Sequence, residues 1–433
     1  MTSILRRVVS GLFAHALGQI VNIAIQLLSF PIFLNFWSTA QYGTWLILSA
    51  IPSYLSMADI GMVTTAGNRM TMEVARGEIA SANRVFQSTL VLIVAICAGL
   101  AILAVPYCLY GPLPNIATTD ERIALAALVL AVLISPIGGL AEAIFRATGR
   151  YPKAANVATI TRLAEWSGWI VGLWAFKSYS AVAIGGLLAR IAVTALSILW
   201  ANGPLHGIHW RTGEASKEET RGMLLPSLSF MSLPLANALS LQGITILVGH
   251  FFGANVVTIF SAFRTIGRVT VQITAMLSFA VWPEFSRLFG LGSYAAVRSV
   301  YLRAAYAGII ISTLLSGLIY LVSPWILKLW THDLVEFQPL LMGIMLTYAA
   351  VIGASHVPRT FLMATNDHLS LAKWSMLAGL AQVLFTLVLG TYLGLEAIGG
   401  VMLAVEAVVA FLCVWSVHEK FAIAFAINAK VVE

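Results

Sequence analysis

The sequence predicts an all-α integral membrane protein with about twelve transmembrane helices. Of its 433 residues, 59% are hydrophobic and only 10% are charged, and the mean hydropathy is +0.90. A typical soluble domain carries about 25% charged residues. A water-soluble fold is therefore excluded, and the short connections between apolar stretches leave no room for a separate soluble domain.

Twelve apolar stretches are each long enough to cross a hydrocarbon core of about 30 Å as a helix. In the first half of the chain we predict spans near residues 11–34, 43–65, 86–110, 121–144, 156–176 and 181–201. In the second half we predict spans near residues 223–249, 257–280, 300–323, 339–357, 375–393 and 397–418.

The positive charges are distributed unequally between the two sets of connections. Eighteen of the 25 lysine and arginine residues fall on one side of the predicted membrane, and only Arg122, Lys177 and Lys328 fall on the other. Because cytoplasmic loops collect lysine and arginine, both termini are predicted to be cytoplasmic.

Two short repeats recur near half the chain length. Residues 183–186 (AIGG) reappear at 397–400, and the Ala-Thr pair at 147–148 reappears at 364–365. Similar shifts at matching positions are typical of transporters built from an internal repeat. We therefore predict two six-helix lobes, residues 1–210 and 211–433, related by a parallel repeat about an axis along the membrane normal.

Motifs for enzymatic chemistry are missing from the sequence. It contains no GxxxxGK[ST] phosphate-binding loop, no HExxH and no GxSxG. Its four aspartates are too dispersed to form an Asp-x-Asp metal site. The sequence therefore predicts neither an enzyme nor a bound cofactor or metal.

The eighth predicted span has one polar face. Its residues are spaced 3, 4 and 4 apart, which places them along one side of a helix: Ser261, Arg264, Arg268 and Gln272. Because an arginine at a helix centre costs roughly 2.5–3.5 kcal/mol on insertion scales, we predict that this face lines a substrate-binding cavity. The alternative is that both arginines pair with carboxylates such as Asp59, Glu142 and Glu406.

The first predicted span repeats this pattern with uncharged groups. Its polar stripe consists of His15, Gln19, Asn22 and Gln26. The stripe fits the wall of a hydrated cavity, with interhelical hydrogen bonding as the alternative. His15 is a candidate for proton coupling, or an interfacial residue.

The second predicted span carries Ser49, Ser53, Ser56 and Asp59 on one face. A shift of 215 residues superimposes Ser49 and Ser53 on the two arginines of the eighth span. The second lobe is therefore predicted to supply the positive charge and the first lobe hydroxyl groups. Asp59 is a candidate coupling or gating residue.

Four further ionisable residues lie inside predicted spans. Arg190 either lines the cavity or forms an ion pair. Arg162 and Glu165 have the i, i+3 spacing of a local ion pair. Glu406 is a candidate coupling residue, with pairing to a partner such as Arg190 as the alternative.

Several short motifs, taken in order, resemble those of a known family. The first half contributes residues 41–45 (QYGTW), 59–61 (DIG) and 68–69 (NR), and the second half contributes 252–254 (FGA), 260–264 (FSAFR) and 282–286 (WPEFS). Over its whole length the chain resembles the polysaccharide-export and lipid-linked oligosaccharide flippases, including the O-antigen flippases, of the multidrug/oligosaccharidyl-lipid/polysaccharide exporter superfamily.

This resemblance implies a flippase that moves an undecaprenyl-pyrophosphate-linked oligosaccharide from the cytoplasmic to the periplasmic leaflet. The product would serve O-antigen, capsule or exopolysaccharide synthesis at the bacterial inner membrane. The implied partners are the lipid-linked oligosaccharide, membrane lipids and polysaccharide polymerase components, and no nucleic acid. Arginine suits a pyrophosphate because it offers several donors in a planar fork. The driving ion, a proton or sodium, stays open.

Three alternatives belong to other functional classes. A drug or small-solute antiporter of the same fold would be favoured by an acidic cavity. A membrane glycosyltransferase or ligase would need a large outer loop, whereas the longest outer connection is about residues 324–338. A scaffold would bury Arg190, Arg264 and Arg268 in complete ion pairs.

Overall fold

The protein is an all-α membrane protein, as the sequence predicts. A computed structural model describes residues 2–57, 59, 61–113, 116–201, 207–365 and 368–432, and no strand occurs in these ranges. Within them, ten helical segments are long and apolar enough to cross a membrane. Large apolar side chains lie exposed on the helix surfaces, for example Ile102 (72%) and Trp174 (71%), as expected where lipid is the solvent.

The described residues of the first half form seven helices. They are α1 (Thr2–Leu34), α2 (Thr39–Ser53), α3 (Met62–Ala75), α4 (Ile79–Tyr110), α5 (Thr119–Ala147), α6 (Tyr151–Phe176) and α7 (Tyr179–Ala201). Capping boxes begin two of them: Ser38 with Gln41 begins α2, and Thr118 with Glu121 begins α5.

The part of the second half that the structure describes also forms seven helices. They are α8 (Lys217–Ala238), α9 (Ile244–Phe252), α10 (Ala254–Gly290), α11 (Tyr294–Trp330), α12 (Pro339–Ala364), α13 (His368–Leu393) and α14 (Leu395–Val432). A π-helical turn, Leu239–Gly243, joins α8 to α9.

Each of the twelve predicted spans overlaps described helix, although two of them are interrupted. The span predicted at 43–65 consists of α2, a 3₁₀ turn at Tyr54–Met57, and α3. The span predicted at 223–249 consists of α8, the π turn and α9. Both interruptions lie inside long apolar runs, where hydropathy averaged over a window does not detect a local change of backbone geometry.

Helix packing follows the same scheme in the two halves. In the first half α6 packs on α1 and α7, and α5 packs on α3, α4 and α7. In the second half α13 packs on α9 and α14, and α12 packs on α10, α11 and α14. The helix starts also match, since α6 begins at Tyr151 and α13 begins 217 positions later at His368. Each half therefore repeats one six-segment arrangement.

The chain divides into two compact units, Met1–Pro234 and Leu235–Glu433. The division falls inside α8, 24 residues beyond the boundary that the sequence repeat predicts between residues 210 and 211. Most of α8, residues 217–234, therefore belongs structurally with α1–α7.

Candidate functional site

Arg264 on α10 binds the π turn between α8 and α9. Its Nη1 donates to the carbonyl oxygen of Leu241 at 2.9 Å, and its Nη2 donates to Oγ1 of Thr245 at 2.8 Å. A π turn disturbs the regular i→i−4 hydrogen bonding of an α-helix, so Leu241 can use its oxygen for a side-chain donor. The guanidinium also lies 5.5 Å from the ring centroid of Phe260. Arg264 is therefore held by neutral groups.

Arg268, one turn further along α10, has different surroundings. Among the described residues it has neither a carboxylate partner nor a hydrogen-bond acceptor, and its side chain is partly exposed. Within the second unit, the sequence alternative of pairing with Glu406 is not seen among the described residues, because Glu406 binds Arg359. The role of Arg268 in substrate binding stays a prediction.

The two outer members of this polar face also differ from each other. Ser261 is 6% exposed, and its hydroxyl has no hydrogen-bond partner among the described residues. Gln272 is partly exposed, and its side chain interacts with a neighbouring group. The face on α10 is therefore polar along its length, and its role in substrate binding stays a prediction.

The stripe on α1 presents partly exposed amides. Gln19, Asn22 and Gln26 are all half-buried, and Gln26 also makes a polar contact. One turn beyond them on α1, Oγ of Ser29 accepts a hydrogen bond from Nε1–H of Trp166 on α6 at 2.8 Å. Interhelical hydrogen bonding thus occurs at the end of the stripe. The side chain of His15 lies outside the described residues.

Asp59 stabilises the interruption between α2 and α3. Its carboxylate accepts hydrogen bonds from the backbone N–H groups of Gly61 at 3.2 Å and Val63 at 3.3 Å. Gly61 adopts a left-handed conformation with φ +72°, which glycine tolerates best. Asp59 therefore satisfies N–H groups at the start of α3. Its coupling or gating role stays a prediction.

The serines of the second predicted span hydrogen-bond to their own backbone. Each hydroxyl donates to the carbonyl oxygen three residues earlier, and the three are Ser49, Ser53 and Ser56. These hydroxyl groups remain polar, but each already donates its hydrogen atom to a backbone carbonyl.

Among the described residues, two largely buried ion pairs each join two helices. In the first unit Arg190 on α7 binds the carboxylate of Glu165 on α6. In the second unit Arg359 on α12 binds the carboxylate of Glu406 on α14, which is 7% exposed. The expected pairing of Glu165 with Arg162 is thus replaced by a bond to Arg190, and the partner of Glu406 is Arg359 and not Arg190.

Sequence reasoning missed Arg359 as an intramembrane charge. The predicted span ended at residue 357, which placed Arg359 in a cytoplasmic connection. In the structure α12 continues through Pro358 to Ala364. A carboxylate at position 406 without a local cation was the available signal, because a buried carboxylate requires a partner.

A cavity of about 560 Å³ lies within the second unit between α11 and α12. The polar part of its lining includes Ser316, Tyr320 and Thr347. Two of these hydroxyls are engaged, since Ser316 contacts Thr270 Oγ1 and Thr347 donates to the carbonyl of Gly343. The cavity contains none of the predicted site residues, and we assign it no role in recognition.

Solved structures of known transporters share this fold. The chain is similar to a multidrug resistance MATE family transporter of the MOP superfamily in an inward-facing conformation, with TM-score 0.71, 15% identity, and coverage of 96% of this chain and 99% of the other. It is similar to a MATE protein in a bent conformation, with TM-score 0.65, 15% identity and coverage of 97% and 96%.

A third similar structure is a MOP superfamily transporter from Pyrococcus furiosus, described as having a binding pocket of reverse polarity that suggests a different function. Here the TM-score is 0.66, the identity 13%, and the coverage 96% of each chain. No protein-family model and no curated protein sequence matches the chain. At these identities the comparisons establish that the chain has the MATE transporter fold over nearly its whole length.

Proposed function

We propose that the protein is an alternating-access membrane transporter for an anionic substrate. The fold supports the transporter class, because similar structures along nearly the entire chain are transporters. The negative charge of the substrate is inferred from Arg268, a partly exposed guanidinium with no carboxylate partner among the described residues. Arg264 adds a second positive charge one turn away, and its hydrogen-bond partners among the described residues are neutral.

The comparisons favour small-solute antiport over lipid flipping as the first candidate. The MATE family transporters named above include one described as a multidrug resistance protein. An antiporter of this fold would exchange its substrate for an ion as its two lobes expose the site to either side in turn. With Arg268 at the site, the substrate would be an organic anion and not an organic cation.

The second candidate is the flippase for a lipid-linked oligosaccharide. Arg268 favours it, because a pyrophosphate is a strong anion and a guanidinium fork binds phosphate oxygens with several parallel hydrogen bonds. The amides of Gln19 and Asn22 would suit a sugar head group. In this candidate the lipid tail remains in the bilayer while the head group crosses. Inner-membrane location and cytoplasmic termini are part of the same proposal.

Deletion of the gene in its host separates these candidates. A flippase requires that loss of the protein deplete surface glycan and trap the lipid-linked precursor on the cytoplasmic face. An antiporter requires unchanged glycan and altered export of small organic anions. Complementation with Arg268→Ala is expected to fail and with Arg76→Ala to succeed, at equal protein levels, because Arg76 is a 69% exposed loop residue. Full rescue by Arg268→Ala would overturn the anionic site.

A further inference from the structure

The π turn of the second unit holds the guanidinium of Arg264 through neutral oxygen atoms. We propose that this guanidinium is a tethered cation, which fills a cation site at the turn and excludes sodium from it. The proposal concerns the second unit alone and goes beyond the choice between the two substrate candidates. The site, here called the π-turn site, consists of Arg264 and five oxygen atoms, those of the Leu241 carbonyl and of the side chains of Thr245, Ser261, Gln382 and Thr386.

The contacts of Arg264 define the first half of the π-turn site. Its Nη1 and Nη2 donate to the carbonyl oxygen of Leu241 at 2.9 Å and to Oγ1 of Thr245 at 2.8 Å. Arg264 forms no ion pair with an acidic residue in the described part of the chain. Its positive charge is thus stabilised by the dipoles of a carbonyl and a hydroxyl, and not by an anion.

Helix α13 lies directly against the α8–α9 segment that contains the π turn. A Cβ atom added at Gly379 would lie 3.0 Å from the carbonyl oxygen of Ala236 and 3.1 Å from Cβ of Leu239. One added at Gly390 would lie 3.1 Å from the ring of Phe251. One face of α13 therefore follows this segment from the end of α8 to the end of α9.

Two buried oxygen atoms on that face of α13 have no hydrogen-bond partner among the described residues. They are Oε1 of Gln382, which is 1% exposed, and Oγ1 of Thr386, which is 0% exposed. These residues follow Gly379 by three and seven positions, the spacing of one helix face. Ser261, one turn before Arg264 on α10, adds a third buried and unpartnered oxygen.

The chemistry of the π-turn site suits a cation. Buried polar atoms without a protein partner indicate a bound ion or water. Hard cations prefer oxygen ligands, and interrupted membrane helices coordinate sodium through their free backbone carbonyls. In this protein the turn already holds a cation, because Arg264 is attached to the chain and cannot leave.

A second cation is excluded from the π-turn site by charge. Like charges repel strongly in the low dielectric of a membrane protein interior, so a sodium ion beside Arg264 is disfavoured. A transport cycle driven by sodium would therefore have to bind the ion at another place in the protein.

Removal of the guanidinium tests the site without reference to transport. Arg264→Ala leaves the five oxygen atoms around a vacated space, so added guanidinium or sodium ions should bind there. In thermal denaturation of the purified full chain, about 20 mM guanidinium chloride should raise the midpoint by about 3 °C or more, relative to choline chloride at equal ionic strength. If neither guanidinium nor sodium stabilises Arg264→Ala more than choline does, the proposal is wrong.

Two matched variants serve as controls. Arg264→Met fills the space without supplying a charge, and Arg268→Ala removes a neighbouring arginine that does not bind the π turn. Neither variant should be stabilised by guanidinium. If either is stabilised as much as Arg264→Ala, the effect is not specific to the vacated site, and the assignment is overturned.

The unaltered protein provides a test that does not require Arg264→Ala to fold. Its denaturation midpoint should agree within about 1 °C in sodium, potassium and choline chloride, because no vacant site is present for a cation to bind. Selective stabilisation by sodium that is lost in Gln382→Leu/Thr386→Val would show that the site accepts sodium beside Arg264, which contradicts the proposal. Failure of the protein to transport an anion would leave these measurements unchanged.

Discussion

Arg264 and Arg268 lie one turn apart on α10 but have different chemical surroundings. Arg264 donates to a carbonyl oxygen and a hydroxyl, whereas Arg268 has no such partner among the described residues. Equal spacing on a helix face gave both residues the same predicted role. The structure shows Arg264 bound at the π turn and Arg268 without such a partner among the described residues.

Replacement of each arginine by alanine is therefore expected to give opposite results. Arg268→Ala should lower transport at least tenfold and change thermal stability less than Arg264→Ala does, since the guanidinium of Arg268 forms no hydrogen bond or ion pair with the described residues. Arg264→Ala should destabilise by about 1–3 kcal/mol, because two hydrogen bonds from a charged donor are lost, although the Thr245 hydroxyl still donates to the carbonyl of Leu241. Transport assays and detergent thermal denaturation measure the two effects. The interpretation fails if both variants lose stability equally.

A second prediction concerns the ion pair between Glu165 and Arg190. Glu165→Gln leaves a largely buried guanidinium without its anion, and loss of one partner of a buried pair costs about 3–5 kcal/mol. Replacing both residues with methionine should recover most of that loss in thermal denaturation, because no unpaired charge remains. If the double variant is as unstable as Glu165→Gln, packing and not charge is responsible.

The residue types of these sites could be predicted from the sequence, but their partners could not. The polar stripe on α10 follows from helical spacing alone. The π turn that binds Arg264, and the extension of α12 that brings Arg359 to Glu406, depend on tertiary packing. Asp59 and Gly61 are a partial exception, because an aspartate two residues before a glycine is a local signal for a helix start.

Close packing of α6 on α7 depends on two glycines. A Cβ atom added at Gly168 would collide with the backbone oxygen of Gly185, and one added at Gly185 would collide with the backbone oxygen of Gly168. Backbones approach this closely in membranes only where side chains are absent. The α6–α7 contact is therefore set by these positions.

Alanine at Gly168 and at Gly99 should have opposite effects on stability. Gly168→Ala must separate α6 from α7 and is expected to destabilise. Gly99 lies on α4, and an added Cβ atom there would meet nothing within 4 Å among the described residues, so Gly99→Ala should stabilise by about 0.5–1 kcal/mol through helix propensity. Thermal denaturation compares the variants. If Gly168→Ala leaves thermal stability unchanged, the two helices are able to separate without a cost in folding free energy.

The arrangement of the whole molecule follows from repetition of one six-segment pattern. Ten of the twelve predicted segments are recognisable by length and hydropathy. The other two are the interrupted α2–α3 segment and α6, which carries Arg162 and Glu165. The sequence repeat indicated the architecture, while the division inside α8 became visible only in the structure.

The charge asymmetry predicts the orientation of this molecule in the membrane. Single cysteines at Tyr110 and Leu329, both more than 80% exposed, should react with an impermeant maleimide added outside intact cells. A cysteine at Arg76 should react only after the membrane is permeabilised. The opposite labelling pattern would reverse the predicted topology.

Transport by the purified protein in liposomes shows whether its substrate is an anion. Two substrates are offered, a polyprenyl-pyrophosphate oligosaccharide and a small organic anion, with an organic cation as the contrasting probe. We expect the unaltered protein and Arg76→Ala to transport at least one of the two anionic substrates. Arg268→Ala should transport that substrate at least tenfold more slowly. If the protein transports only the organic cation, and Arg268→Ala does so at an undiminished rate, the proposal of an anionic substrate is wrong.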